Sequence, residues 1–329
     1  MQHYYPIRTN LFDIHIIREL SKRDIKKVFF DIFFDYFLII ISLIFCYQFN
    51  NIFIYLITIL FIGTRAYSLM VIAHDGLHRR FSANKNVNDL INDFFILGAF
   101  GSGCRVNRNN HIEHHLHTCL KEDPDRYKYN HHNKESIVKL FYFLSGFRTV
   151  GVAISNVFLN KKIIDKYKKY ENIKHIDQVD LYLNLREILT ILVWQVFIFF
   201  SLSYYFGIKG YFIFWLIPVY FAYRADLNRV FCEHSFIQKD EIADKHMRLV
   251  TYKSNFLEKI FFAPKNMNFH MIHHLYPQIP YYNLKKADKI AYSKRKNFPN
   301  LVWRNSYLIY IFRYIYNINF KKNYFSEIN

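Results

Sequence analysis

The feature that most limits what this chain can become is the bunching of its apolar residues. Val28 to Gln48, Ile52 to Ala73, Leu185 to Phe206 and the stretch from Tyr211 are long apolar runs. A helix rises about 1.5 Å per residue and a bilayer's hydrocarbon core is about 30 Å thick, so about 20 residues cross it. In hydrocarbon each backbone N–H and C=O must be satisfied within the segment, which makes each run a helix. Phe49-Asn50-Asn51 and Gly207-Ile208-Lys209-Gly210 are short turns that join the runs in pairs. The expectation is an all-α membrane protein of one domain over residues 1–329. Its four transmembrane helices, at about 28–48, 52–73, 185–206 and 211–229, form two hairpins. Residues 74–184 and 230–329 form a helical cap on the cytoplasmic side.

Charge supports that reading. The formal net charge is +18, a balance that suits nucleic acid or an anionic membrane surface. No nucleic-acid motif is present, and the bases flank the apolar runs. Lys and Arg crowd the N-terminus, the segment between the second and third runs, and the C-terminus, which places all three on the cytoplasmic side. Four cysteines (Cys46, Cys104, Cys119, Cys232) show no C-x-x-C spacing and are expected to be reduced, buried residues. The start of the chain lacks the basic and apolar pattern of a cleaved signal, so the first run should serve as its own signal. Residues 90–104 read as a half-span or surface-lying segment, 136–159 and 303–320 as interfacial helices, and 161–178 as a basic connector. Inside the runs, Asp35 and Arg65 fall at one depth and are expected to pair, as are Arg224 and Asp226.

Three clusters carry the chemistry: His74-Asp75-Gly76-Leu77-His78, His111-Ile112-Glu113-His114-His115 and His270-Met271-Ile272-His273-His274. Residues three and four apart share a helical face, so each cluster presents two or three imidazoles together. A lone histidine is more often structural than ligating. Three clusters at this spacing, among 16 histidines, are not a chance arrangement. Ile52 to His78 as one helix is about 40 Å long, so the first cluster emerges just beyond the membrane. Arg65-Ala66 precedes His74 as Arg224-Ala225 precedes His234, which adds His234 as a ninth candidate ligand.

Neutral imidazole suits iron, zinc, copper and nickel. A zinc site takes four ligands and often includes thiolate, so nine imidazoles exceed one zinc. Asp75 and Glu113, the only carboxylates inside the clusters, point off the shared face. A dinuclear iron centre with open positions for dioxygen accounts for the number better. At a membrane surface it suits oxidative attack on a lipid C–H bond, with the substrate entering sideways between the spans. A metal transporter would instead set its ligands at mid-membrane on facing spans.

The three clusters, in this order around these hairpins, resemble the histidine-box, non-haem diiron enzymes of the membrane fatty acid desaturase superfamily. The resemblance runs from the first span to Leu284. It includes Asn110 to Asp125, Arg229 to His234, and His273-His274-Leu275-Tyr276-Pro277 with Ile279-Pro280-Tyr281. It implies His74, His78, His111, His114, His115, His234, His270, His273 and His274 as ligands of two iron ions (Fe2+/Fe3+), with O2 as co-substrate. Asp75, Glu113, Asp123, Asp125 and Glu233 become candidates for carboxylates that orient ligating imidazoles. His117, His131 and His132 fall outside the matched positions. The third cluster begins with His270 where front-end desaturases carry glutamine, which argues against that branch. The implied activity is oxygen-dependent desaturation of a fatty acyl lipid or acyl-thioester. The alternative is a hydroxylase or ketolase acting on fatty acyl, sphingoid or carotenoid substrates. Electrons would come from a separate ferredoxin or b-type cytochrome with its reductase. The expected location is a bacterial inner membrane, or the endoplasmic reticulum membrane in a eukaryote, with the site cytoplasmic.

Overall fold

The structure, a computed structural model, describes residues 11–119, 123–129, 137–147, 183–234, 250–298 and 301–320. A short helix α1 (Ile14–Leu20) leads to α2 (Ile25–Phe49) and α3 (Ile52–Leu77), a tight antiparallel pair. Asp24 caps α2 by accepting from the Lys27 N–H at 3.0 Å, and Asn51 caps α3 by accepting from the Phe53 N–H at 2.8 Å. Asn50 closes α2 in the left-handed region at φ 40°, which asparagine tolerates. The two helices differ in setting. α2 exposes Phe30, Phe33, Phe37, Ile40, Ile41 and Ile44, a belt suited to lipid, whereas α3 is mostly buried at the centre of the molecule.

Helix α4 (Lys85–Phe95) follows and a 3-10 turn (Leu97–Phe100) returns the chain to the core. These are the residues expected as a half-span; Leu97 to Phe100 are buried and α4 is amphipathic. Helix α5 (Cys104–His117) carries the second histidine cluster. Its first N–H groups are met by carboxylates from two directions, Cys104 by Asp93 at 2.7 Å and Arg105 by Glu187 at 2.9 Å. Negative charge at a helix N-terminus is favourable, so the entry of α5 is fixed from both sides. Helix α6 covers Ile137–Ser145; the rest of the expected interfacial helix, the 161–178 connector, His131 and His132 lie outside the described residues.

Helix α7 (Leu185–Phe206) opens with an Asn184–Glu187 capping box and exposes apolar side chains along its length. Its Trp194 and Gln195 donate to the carbonyls of Phe94 (2.5 Å) and Ala99 (2.8 Å) respectively. The following helical run begins at Lys209–Tyr211, passes through a π segment at Phe212–Leu216, and becomes α8 (Ile217–His234). Pro218 has no N–H to give, and the π segment just before it absorbs the lost bond. α8 packs along α3.

α2, α3 and α7 are long and apolar enough to cross a membrane. The fourth expected span, 211–229, differs: α8 is 18 residues long and carries Arg224, Asp226, Arg229 and Glu233. The described residues are mostly helical, with one short pair of strands added. Val250–Tyr252 (β1) and Val302–Arg304 (β2) pair in parallel, in the register Val250↔Val302. Between them lie α9 (Phe256–Phe261), a 3-10 turn (Met267–Phe269), α10 (His270–Leu275) and α11 (Tyr281–Ser293). Helix α12 (Tyr307–Phe320) buries Tyr307, Tyr310 and Tyr314 and exposes Leu308, Ile309 and Phe312, as an interfacial helix should.

The intramembrane charges divide. Arg65 Nη1 lies 3.1 Å from Asp35 Oδ1, the expected pair. Asp226 instead pairs with Arg229 at 2.8 Å, and Arg224 is exposed, because on α8 the residue three positions on lies closer than the residue two back.

Candidate metal centre

The nine histidines converge on the ends of four helices and sort into two groups. His74, His78, His111, His115 and His273 form the first, and His114, His234, His270 and His274 the second. Within each group the ligating atoms lie within 4.8 Å of one another. Each H-x-x-H-H cluster is divided: the i, i+4 pair serves one group, and the remaining histidine turns to the other. Thus α5 sends His111 and His115 to the first group and His114 to the second. α10 sends His270 and His274 to the second and His273 to the first. The groups adjoin, with the rings of His115 and His274 stacked at 4.1 Å.

The nitrogen spacings test whether these residues fit metal. Nε2 of His111 is 2.8 Å from Nε2 of His78 and 3.0 Å from Nε2 of His115, which is 3.1 Å from Nε2 of His273. Nε2 of His270 is 2.9 Å from Nε2 of both His234 and His274. A ring nitrogen offers either one proton or one lone pair. Four nitrogens in a row can therefore make at most two of the three contacts as ordinary hydrogen bonds. Two nitrogens each about 2.1 Å from one ion, at right angles, sit about 3.0 Å apart. The observed spacings are those of ligands around an ion. Nδ1 of His74 and Nδ1 of His273 are also buried without a hydrogen-bond partner.

Electrostatics agree. Burial first, and then neighbouring imidazoles, hold His111, His115, His273 and His274 far below the ordinary histidine range, so they are neutral with lone pairs to donate. His270 is held down by burial and by Arg229. His114 differs: burial lowers it, but the Asp123 carboxylate outweighs burial and raises it. Nδ1 of His114 donates to Asp123 at 2.9 Å, which fixes the tautomer and leaves Nε2 free to bind. Asp123 is itself held by Tyr129 OH (2.5 Å), Cys119 N–H (3.0 Å) and Asp125 N–H (2.8 Å).

The other carboxylates act elsewhere. Asp75 accepts from the Tyr281 N–H at 2.6 Å and so caps α11 rather than any imidazole. Glu113 faces His117 at 3.4 Å, and Asp125 holds Asn110 (3.2 Å) and Lys128 (2.9 Å). Glu233 binds Arg229 at 2.5 Å and Tyr307 OH at 2.6 Å, with Nε2 of His270 at 3.6 Å. Arg229 Nη1 also lies 3.2 Å from Nδ1 of His270. A metal-bound Nε2 needs its proton on Nδ1, so that one contact must give way; Asp226 and Glu233 already offer the guanidinium alternatives.

Sequence reasoning missed the supports of the first cluster. The last carbonyls of α3 have no partners within the helix. Gly76 O accepts from Asn88 (2.8 Å) and Leu77 O from Arg108 (2.8 Å), and Ala73 O, one turn earlier, takes an added bond from Asn92 (3.0 Å). Arg108 is in turn clamped by Asp89. A Cβ on Gly76 would sit 2.4 Å from Asn92 Nδ2, so glycine is required for α4 to approach. The recurrence of Asn88, Asp89, Asn92 and Asp93 on one helical face was the available signal.

Beside the histidines lies a cavity of about 180 Å³. Tyr67, Met70, Val71, Leu97, Phe100 and Val230 give it apolar walls, and His74, His111, His114 and His270 reach it from both groups.

Apolar spans, two adjoining imidazole clusters and this cavity define a membrane protein equipped to hold two metal ions beside a pocket with one apolar wall and one polar wall. The sequence profile described as fatty acid desaturase matches residues 50–304. The chain therefore belongs to the fatty acid desaturase family, whose fold brings oxidoreductase chemistry on fatty acids. A search of curated proteins returns no match.

Proposed function

We propose that the chain is an oxygen-dependent fatty acyl desaturase acting on a membrane lipid or acyl-thioester. The observation that carries this reading is the opening of both histidine groups onto one cavity that has an apolar wall. The nine histidines would hold two irons, which when bound supply the activation of dioxygen for removing hydrogen from adjacent methylenes. Dioxygen takes up four electrons in becoming two waters; two come from the C–H bonds and two from a separate ferredoxin or b-type cytochrome.

The chain's own residues do the rest. Tyr67, Met70, Val71 and Phe100 line the pocket with apolar surface that excludes water and receives the acyl chain. Asp123 keeps the His114 proton on Nδ1 throughout. Residues 209–229, with the π segment accommodating Pro218, serve as the fourth crossing and close the second hairpin. The single domain then presents its histidines at the cytoplasmic side of a cell membrane.

The test is acyl-chain profiling of a bacterial host expressing the chain with a ferredoxin system, beside His114→Ala. New unsaturated chains absent from the variant are the expected result. Hydroxylated or ketonic products of the wild type would replace this reading with its sister chemistry.

A further inference from the structure

The third histidine cluster is tied to the first hairpin by charges that the metal centre does not use. Asp31 and Asp35 lie one turn apart on α2, and both are buried. Asp35 pairs with Arg65 at 3.1 Å and accepts from Ser68 Oγ at 2.7 Å. Asp31 pairs with Lys27 at 2.9 Å and accepts from Tyr281 OH at 2.6 Å. Into this set comes Lys265, from the loop before α10. Its Nζ lies 3.1 Å from Asp31 Oδ1 and 3.3 Å from Asp35 Oδ2.

The backbone there is constrained. Lys265 and Asn266 are successive non-glycine residues in the left-handed region, at φ 53° and 65°. Asparagine tolerates that region, but lysine holds it only where its surroundings impose it. Lys265 is held by the two carboxylates, and Asn266 Nδ2 donates to Tyr281 O at 3.2 Å. Met267 N–H then donates to Pro264 O (3.1 Å) and Phe269 N–H to Asn266 O (3.1 Å), winding directly into His270. Met267, fully buried, lines the cavity.

We propose that Lys265 is a positioning residue: by bridging Asp31 and Asp35 it latches the segment bearing His270, His273 and His274 onto the membrane hairpin. The carboxylates keep Lys27 and Arg65 when Lys265 is removed, so α2 and α3 hold together while the latched segment loosens. The docking itself stands without metal; only its consequence for metal rests on the function proposed above.

Hydrogen exchange on the metal-free full chain in detergent reads the docking. In Lys265→Met, amides of residues 266–275 are expected to exchange about tenfold faster or more, with 52–72 unchanged. Lys265→Arg restores most of the protection, and iron uptake falls in the Met variant and recovers in the Arg variant. Unchanged exchange at 266–275, or equal acceleration in α2 and α3, overturns the latch. If the wild type takes up no iron, the proposed function fails while the exchange result still decides the latch. Should Lys265→Met not accumulate, Lys265→Gln, which keeps a polar end but loses the charge that both carboxylates hold, must show the same localised acceleration.

Discussion

His114 owes its tautomer to Asp123, and that dependence gives the first prediction at the residue scale. Asp123→Asn removes the charge that holds the Nδ1 proton, and groups that orient a ligating imidazole typically contribute about 10–100-fold to metal affinity. Metal titration of the purified variant should show that loss, with the far-ultraviolet dichroism of the wild type retained. The other imidazoles give a pH prediction. His111, His115, His273 and His274 are held well below their ordinary value of 6.5, so between that value and their folded values the unfolded chain binds more protons. Stability of the metal-free protein therefore falls as pH drops below about 6.5. His114, shifted upward, contributes in the opposite sense: its share is full below the ordinary value and is lost as pH rises through its raised one. Glu233, Asp93 and Asp288, which burial raises to about 8, 6 and 6, act in the same sense as His114. His78, His234 and His270 are also held well below 6.5, so seven lowered rings stand against four raised groups. Thermal unfolding of metal-free protein at pH 7.5 and 5.5 should therefore show the lower midpoint at pH 5.5. A higher midpoint at the acid pH would contradict the neutral state assigned to these rings.

At the scale of elements, α4 matters more than its length suggests, because its polar face supplies partners to the open end of α3. Arg108→Ala leaves Asp89 buried without its guanidinium and strips Leu77 O of its donor. Breaking a buried pair from one side costs about 3–5 kcal/mol, which should appear as a large drop in the detergent unfolding midpoint. Gly76→Ala should also destabilise, because the added methyl meets Asn92 and Phe81. Much of this level was legible beforehand. Apolar runs and the Phe49-Asn50-Asn51 turn located α2 and α3, helical spacing identified eight of the histidines, and the Arg-Ala parallel identified His234. The division of each H-x-x-H-H cluster between two groups was not legible, since shared-face reasoning treats one helix alone and the second face is defined only by packing. The role of α4 was hidden similarly: its buried asparagines and aspartates look like solvated surface until α3 ends against them. Short β1 and β2 pair across about fifty residues that no local pattern connects.

At the scale of the molecule, α2, α3 and α7 are long and apolar enough to cross a membrane, and residues 209–229 decide whether the termini share a side. A fourth crossing puts both ends on one side, the cytoplasmic side in the function proposed above; three would separate them. Reporter fusions at the C-terminus should therefore fluoresce in the cytoplasm and show no periplasmic phosphatase activity, whereas the reverse pattern would remove the fourth span. Whether one chain folds two adjoining imidazole groups for two irons is decided by metal analysis of anaerobically purified, iron-loaded protein. Two irons per chain are expected, reduced to about one by His274→Ala or by His273→Ala, since these neighbours serve different groups. One metal per chain in the wild type, or the loss of both from either variant with the fold intact, would contradict that arrangement.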